Sequence, residues 1–207
     1  MAANKEKSEP RLFGSTDLSF IENDCWQLLD AAPEDLSSGW RLPVLGTASR
    51  QRTIVLRDVD PSARLLIAHT DTRSGKVNQL VREPLASLLF YDTSIRVQLQ
   101  VTVVTEVQTE GPVADRLWAE SDVSSLRGYL APVAPGTRSD ELTVNLPAEF
   151  RDELPTRQQL ESGRRNFSAL IFTVTSIEWL ILNRSGNLRA LFEYDIAGQV
   201  RRSWMAP

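Results

Sequence analysis

From Val97 to Val103 the chain reads Val-Gln-Leu-Gln-Val-Thr-Val. Successive side chains of a strand point to opposite faces, so this run sets Gln98, Gln100 and Thr102 on one face and Val97, Leu99, Val101 and Val103 on the other. A chain with such a strand must build a sheet whose one face is a hydrophobic core and whose other face is not. The neighbouring segments supply the rest of it. After the turn signals Pro33-Glu34-Asp35 and Ser37-Ser38-Gly39, residues rich in β-formers recur at Leu42 to Ala48, Thr53 to Leu56, Leu65 to His69, Leu85 to Tyr91 and Val97 to Val107. Alternation returns from Ser168 to Trp204, broken by a turn at Arg184 to Asn187.

Helices are few in this pattern. The stretch from Ser19 places Phe20, Ile21, Trp26, Leu28 and Leu29 near one side of a helix, with Ser19 or Asp17 as N-cap. Arg73 to Glu83 repeats Val77, Leu80 and Val81 at helical spacing and stops before Pro84. Val113 to Glu120 and Ser124 to Tyr129 are further helical stretches. Four prolines between Ala131 and Pro155 predict a long loop there, a lid or an excursion across a neighbouring subunit. Strands with one embedded helix predict a mainly β protein, an antiparallel β-barrel with α-helical decorations, because parallel βαβ units need a helix between most strands. No Gly-x-Gly-x-x-Gly follows a strand, which disfavours a Rossmann domain. We expect a flexible N-terminal tail over 1–17 and a single domain over 18–207 with its long loop at about 131–155.

A net charge of -4 lacks the broad basic field that nucleic acid or a membrane surface requires, so any anion must be caught locally. No apolar run reaches membrane-spanning length and no hydrophobic stretch follows the first basic residues, so a cytoplasmic protein is expected. Cys25 is the one cysteine and His69 the one histidine, which excludes an intrachain disulfide and a two-histidine metal site; no metal is expected.

Three segments carry candidate chemistry. In Arg52-Thr53-Ile54-Val55-Leu56-Arg57, read as one strand, the two guanidinium groups lie about 17 Å apart on opposite faces. They suit two ends of an elongated ligand, or simply two solvated arginines flanking an edge strand, the plainer meaning of this segment alone. In His69-Thr70-Asp71-Thr72-Arg73-Ser74-Gly75-Lys76 a strand gives way to the embedded helix, whose free N–H groups join hydroxyls and cations in a phosphate-binding turn or a plain capped helix. Asp71 would repel a phosphate unless it points away. On the third segment, Gln98 offers both a donor and an acceptor, as a flavin pyrimidine edge requires, though a polar outer face explains it equally.

Taken in order, Arg52 to Arg57, the block from Leu65 to Asp92 and Arg96 to Val101 resemble the pyridoxamine 5'-phosphate oxidase-like FMN-binding split-barrel family, and within it the pyridoxamine-phosphate-oxidase-related, Alr-type group. The resemblance runs from about Trp40 to Val107 and from Phe167 to Pro207, with Tyr129-Leu-Ala-Pro-Val-Ala-Pro-Gly136 and the closing Ser203-Trp-Met-Ala-Pro207 as further matches. It implies a homodimer holding FMN at the subunit interface. Arg52, Thr53, Ile54, Val55, Leu56 and Arg57 would line the flavin, and Thr72, Arg73 and Ser74 its phosphate. Lys76 would stand in for a lysine that the family carries where this chain has Ser74, and Gln98 and Trp179 would reach the flavin from the other subunit. The family's substrate histidine and flavin arginine fall at Arg189 and Leu191, so the vitamin B6 site is not retained.

The implied function is an FMN-dependent oxidoreductase acting on a small-molecule substrate, with Arg57 and Arg189 facing it. The alternatives are a pyridoxamine/pyridoxine 5'-phosphate oxidase, a non-catalytic electron-carrying flavoprotein, and a barrel that uses haem or a deazaflavin instead. Elsewhere, His69 reads as a structural hydrogen-bonding residue, Cys25 as packed, and Trp26, Trp40, Trp118 and Trp204 as core or interface anchors. The acidic residues Glu106, Glu110, Asp115, Glu120 and Asp122 read as solvated surface, and Arg164 and Arg165 as a basic turn before a strand.

Overall fold

The computed structural model describes residues 16–48 and 50–207, so most of the expected tail over 1–17 lies outside the described residues. A first helix, α1 (Leu18–Ala31), begins at Asp17, whose carboxylate accepts from the Ser19 N–H at 2.8 Å. Three strands follow, β1 (Val44–Thr47), β2 (Arg50–Thr53) and β3 (Leu56–Asp60), then β4 (Leu65–Asp71) and the embedded helix α2 (Gly75–Arg82). Next come β5 (Leu85–Asp92), β6 (Val97–Gln108), three short helices, α3 (Pro112–Glu120), α4 (Val123–Leu126) and α5 (Arg157–Leu160), and finally β7 (Phe167–Ile181), β8 (Leu188–Tyr194) and β9 (Val200–Met205). Residues 131–155 form the expected loop, irregular but for a 3-10 turn at Ala148–Phe150.

All neighbouring strands are antiparallel, in the order β2-β1-β5-β6-β7-β4-β3, with β8 beside β7 and β9 beside β8. Strand β7 organises the sheet. Before Thr175 one edge pairs with β4, and after it with β8, while the other edge pairs with β6 from Ala169 onward. The register slips there, Thr102 facing Ser176 and Val103 facing Val174, so Thr175 is the extra residue of a bulge and its hydroxyl donates to the Thr102 carbonyl at 3.1 Å. A bulge adds local twist, which lets one strand serve two differently directed sheets and splits the barrel.

The predicted alternation holds on β6: Val97, Leu99, Val101 and Val103 are buried, while Gln98, Gln100 and Thr102 face outward. Leu45, Leu56, Leu66, Phe90, Phe172 and Phe192 fill the barrel, with Ile21, Cys25, Trp26 and Leu29 of α1 packed in the same cluster. Phe20 departs from the expected face and is 39% exposed; the helix instead buries Glu22, which takes an ion pair from Arg202 at 2.6 Å. A second cluster gathers Leu117, Trp118, Leu126, Tyr129, Leu160 and Phe167 beneath the short helices.

Two local expectations are corrected. Arg52 to Arg57 is not one strand: the ladder stops at Ile54 and Val55, and the chain passes from β2 to β3, which are the two ends of the sheet path. Helix α2 starts at Gly75 rather than Arg73, because Asp71 to Ser74 forms a turn in which the Ser74 N–H bonds the Asp71 carbonyl.

Candidate functional site

The crossing segment from Arg52 to Arg57 separates two cavities, one at each end. At the Arg52 end, the start of α2 and the loop residues Pro135 and Gly136 enclose about 940 Å3. Arg50, Arg52, Lys76 and Arg82 line it, against one carboxylate, Glu83. Lys76 Nζ donates to Ser74 Oγ at 2.9 Å, and burial, then the charge of Arg52, lowers its pKa from the usual lysine range. Arg52 Nη1 is buried with no hydrogen-bond partner, and burial and the charge of Arg50 lower that guanidinium as well. Cations that destabilise one another at a helix N-terminus, with an unsatisfied donor among them, form a cradle that a phosphate would complete.

Arg73 is not among the residues lining that cavity. Its Nε and Nη2 grip the Asp71 carboxylate at 3.0 and 2.6 Å, and Nη2 also donates to the Ala131 carbonyl at 3.0 Å. Asp71 accepts from the Arg73 N–H as well, at 2.8 Å. The pair neutralises itself and pins the start of the long loop to the end of β4, so Asp71 offers no repulsion to a phosphate and Arg73 offers little attraction. Thr72 is tied through its N–H to the Asn166 carbonyl at 2.7 Å.

At the Arg57 end lies a cleft of about 520 Å3 lined by Arg41, Arg57 and Arg127 together with Val55, Ser125, Asn145 and Leu146. Arg57 Nη1 donates to Ser125 Oγ at 3.0 Å, and burial is the main cause lowering its pKa. A neighbouring cavity of about 420 Å3 shares Arg41, Arg57 and Ser125 and adds His69. The Ser121 hydroxyl donates to the Leu117 carbonyl at 2.6 Å, which commits its one proton. The 3.5 Å contact between Ser121 Oγ and His69 Nδ1 therefore needs the proton on Nδ1, leaving Nε2 a buried acceptor without a partner. Burial and the charge of Arg57 push the His69 pKa down to about 4, so the ring is neutral at physiological pH.

The remaining site residues lie on the outer face of the sheet or inside it. Gln98 is half-buried on that face, in a row with Tyr91, Leu180 and Arg189. Arg189 does not share a cavity with Arg57: it pairs with Glu178 at 2.8 Å. Trp179 corrects the expectation that it reaches outward, since it sits opposite Leu99 on the core face and is fully buried. Arg164 is likewise engaged, paired with Asp115 at 2.6 Å. Arg41, Arg127, Arg50 and Arg82 escaped the sequence reading because no motif spacing marks them; the fold gathers them from separate segments. The one signal for the loop's part was its length.

No protein-family model matches the sequence, and no curated protein does. Among solved structures, the chain is similar to a pyridoxamine 5'-phosphate oxidase-related, FMN-binding protein of Nostoc punctiforme, at 18% identity and a TM-score of 0.69, covering 94% of this chain and 99% of that one. It is also similar to PhzG of Burkholderia lata, solved in complex with tetrahydrophenazine-1-carboxylic acid, at 17% identity and a TM-score of 0.62, covering 91% and 92%. A sheet path split at Thr175, closed by a crossing segment and carrying one embedded helix, matches those structures over nearly their whole length, and the chain has the split β-barrel fold of the pyridoxamine 5'-phosphate oxidase-related proteins.

Proposed function

We propose that the protein is an FMN-binding oxidoreductase that works as a homodimer. One observation carries the reading: the cradle of Arg52, Lys76 and Ser74 at the start of α2, with the unsatisfied Arg52 Nη1 within it. A phosphate monoester seated there would receive the Arg52 and Lys76 donors and the N-terminal end of the α2 dipole. Thr53, Ile54, Val55, Leu56 and Arg57 then run beside the rest of an elongated cofactor, Ile54 and Val55 lying outside the strand ladder with the Ile54 N–H held by the Pro43 carbonyl at 2.9 Å. FMN, when bound, would supply hydride and electron transfer.

The protein's own residues position, exclude and orient. Pro135 and Gly136 wall the phosphate end and Asn145 and Leu146 the other, so one loop covers both cavities. The second subunit belongs on the outer face. There Leu85, Leu89, Tyr91 and Val104 are 64%, 38%, 41% and 43% exposed, an apolar row on the sheet face that carries Gln98.

The test is the visible spectrum of the purified protein before and after FMN is added, with Arg52→Gln as the control for phosphate capture and Arg73→Gln beside it. A flavin spectrum retained through gel filtration by the wild type, and weakened about tenfold or more in affinity by Arg52→Gln, supports the site. Arg73→Gln should change uptake less, because Asp71 already holds that side chain. No uptake by the wild type sinks the reading.

A further inference from the structure

The phosphate cradle fills only one end of the cavity in which it lies. Helix α2 buries Val77 and Leu80 on one side and turns Gly75, Asn78, Gln79 and Arg82 to the cavity, the i, i+3, i+4, i+7 spacing of a single stripe. From Gly75 to Arg82 that stripe is about 10 Å long at a rise of about 1.5 Å per residue. The facing wall is β2, where Arg50 and Arg52, two residues apart, share a face. The Thr47 hydroxyl donates to Gln79 Oε1 at 2.9 Å and fastens the β1–β2 hairpin to the middle of the helix. Helix and hairpin thus enclose a groove, with Ala48 and Pro135 as apolar patches in its wall.

The two ends of the groove differ. The charge of Arg52 acts on Lys76, so these two cations meet at the first turn of α2. Arg50 lies one strand repeat beyond Arg52, and Arg82 sits in the last turn of the helix. A phosphate monoester needs only the first-turn donors, whereas about 940 Å3 is the volume of a pocket for a whole drug-sized molecule. Among the described residues neither Arg50 nor Arg82 makes an ion pair, and neither does Glu83 next to Arg82. Two unpaired guanidinium groups suit a second phosphate. The Glu83 carboxylate repels any longer run of anions but accepts from sugar hydroxyls, and the Asn78 carboxamide offers both a donor and an acceptor to a base edge.

We propose that the groove between α2 and β2 continues the cofactor site beyond the flavin phosphate, and that it takes the second phosphate and the nucleoside of a dinucleotide flavin. Naming the flavin rests on the reading above; the diphosphate groove itself does not. Arg52 and Lys76 hold the phosphate next to the flavin, Arg50 and Arg82 hold the one beyond it, and Glu83 and Asn78 bind the nucleoside.

Calorimetric titration of the protein with FMN, with flavin adenine dinucleotide and with ADP tests it. The dinucleotide is expected to bind about tenfold more tightly than FMN, and Arg50→Gln together with Arg82→Gln to bring the ratio of the two affinities down to about one. Both side chains are exposed, so the double variant should keep its fold, which circular dichroism checks. A dinucleotide that binds no more tightly than FMN, or an advantage that survives in the double variant, overturns the proposal. Should neither flavin be taken up, the flavin reading falls and ADP decides for the groove. Saturable ADP binding that is lost in the double variant keeps a diphosphate site there, and no binding, or binding unchanged in that variant, removes it.

Discussion

At the residue scale, His69 links burial to pH. Its folded-state pKa lies at about 4, below the 6.5 of the free side chain, because the buried ring faces Arg57. Between those values the unfolded chain binds the proton and the folded chain does not, so stability is full above about pH 6.5 and falls as pH drops toward 4, by about 3 kcal/mol at most. Urea denaturation between pH 7.5 and 4.5 should show that slope, and His69→Asn should flatten it; an equal slope in the variant would assign the loss to carboxylates. The sequence marked Arg52 and Lys76, which the fold brings to one cavity, and it read His69 as a hydrogen-bonding residue. It could not see that Arg73, the cation nearest the motif, is spent on Asp71, because pairing is a matter of side-chain direction rather than spacing. Nor could it see Trp179 turning inward, since alternation states that two faces exist but not which one meets the core.

At the scale of elements, the strands were legible because alternation and β-branched residues repeat, and α2 and α3 because helical spacing and proline punctuate them. The break at Ile54 and Val55 was not, since both residues are good β-formers and only the closure of the sheet forces them out of the ladder. The turn at Gly39–Arg41 shows a similar tertiary demand. A Cβ on Gly39 would stand 2.6 Å from the Tyr91 carbonyl oxygen and 2.9 Å from Asp92 Cα, and the Gly39 N–H bonds the Asp92 carboxylate at 2.9 Å. Gly39→Ala should therefore cost about 1–3 kcal/mol and loosen the placement of Trp40 and Arg41. Thermal melting checks it, and an unchanged midpoint would mean that the turn shifts freely.

At the scale of the whole molecule, the outer sheet face and the two cavities complement each other. The cavities end at the crossing segment, and the outer face carries Gln98 and Arg189 outside both of them. A second copy would bring these together, so light scattering should give twice the chain mass at micromolar concentration. Leu89→Arg with Tyr91→Arg should shift the protein toward monomer and weaken FMN together with dimerisation. A wild-type monomer that takes up FMN would separate the two. The dimer was implied by resemblance alone, because no periodicity within one chain encodes contact with another.

The exchange of partners along β7 has a mechanical consequence. One strand is sewn to β6 from Ala169 to Ile181 and to β4 and β8 in succession on its other edge, so a pull or a thermal fluctuation at either end of the sheet is carried through the same backbone. Neither half of the barrel can peel away while the other stays closed. Opening is therefore concerted, and the loop over the cavities can loosen without loosening the walls beneath it.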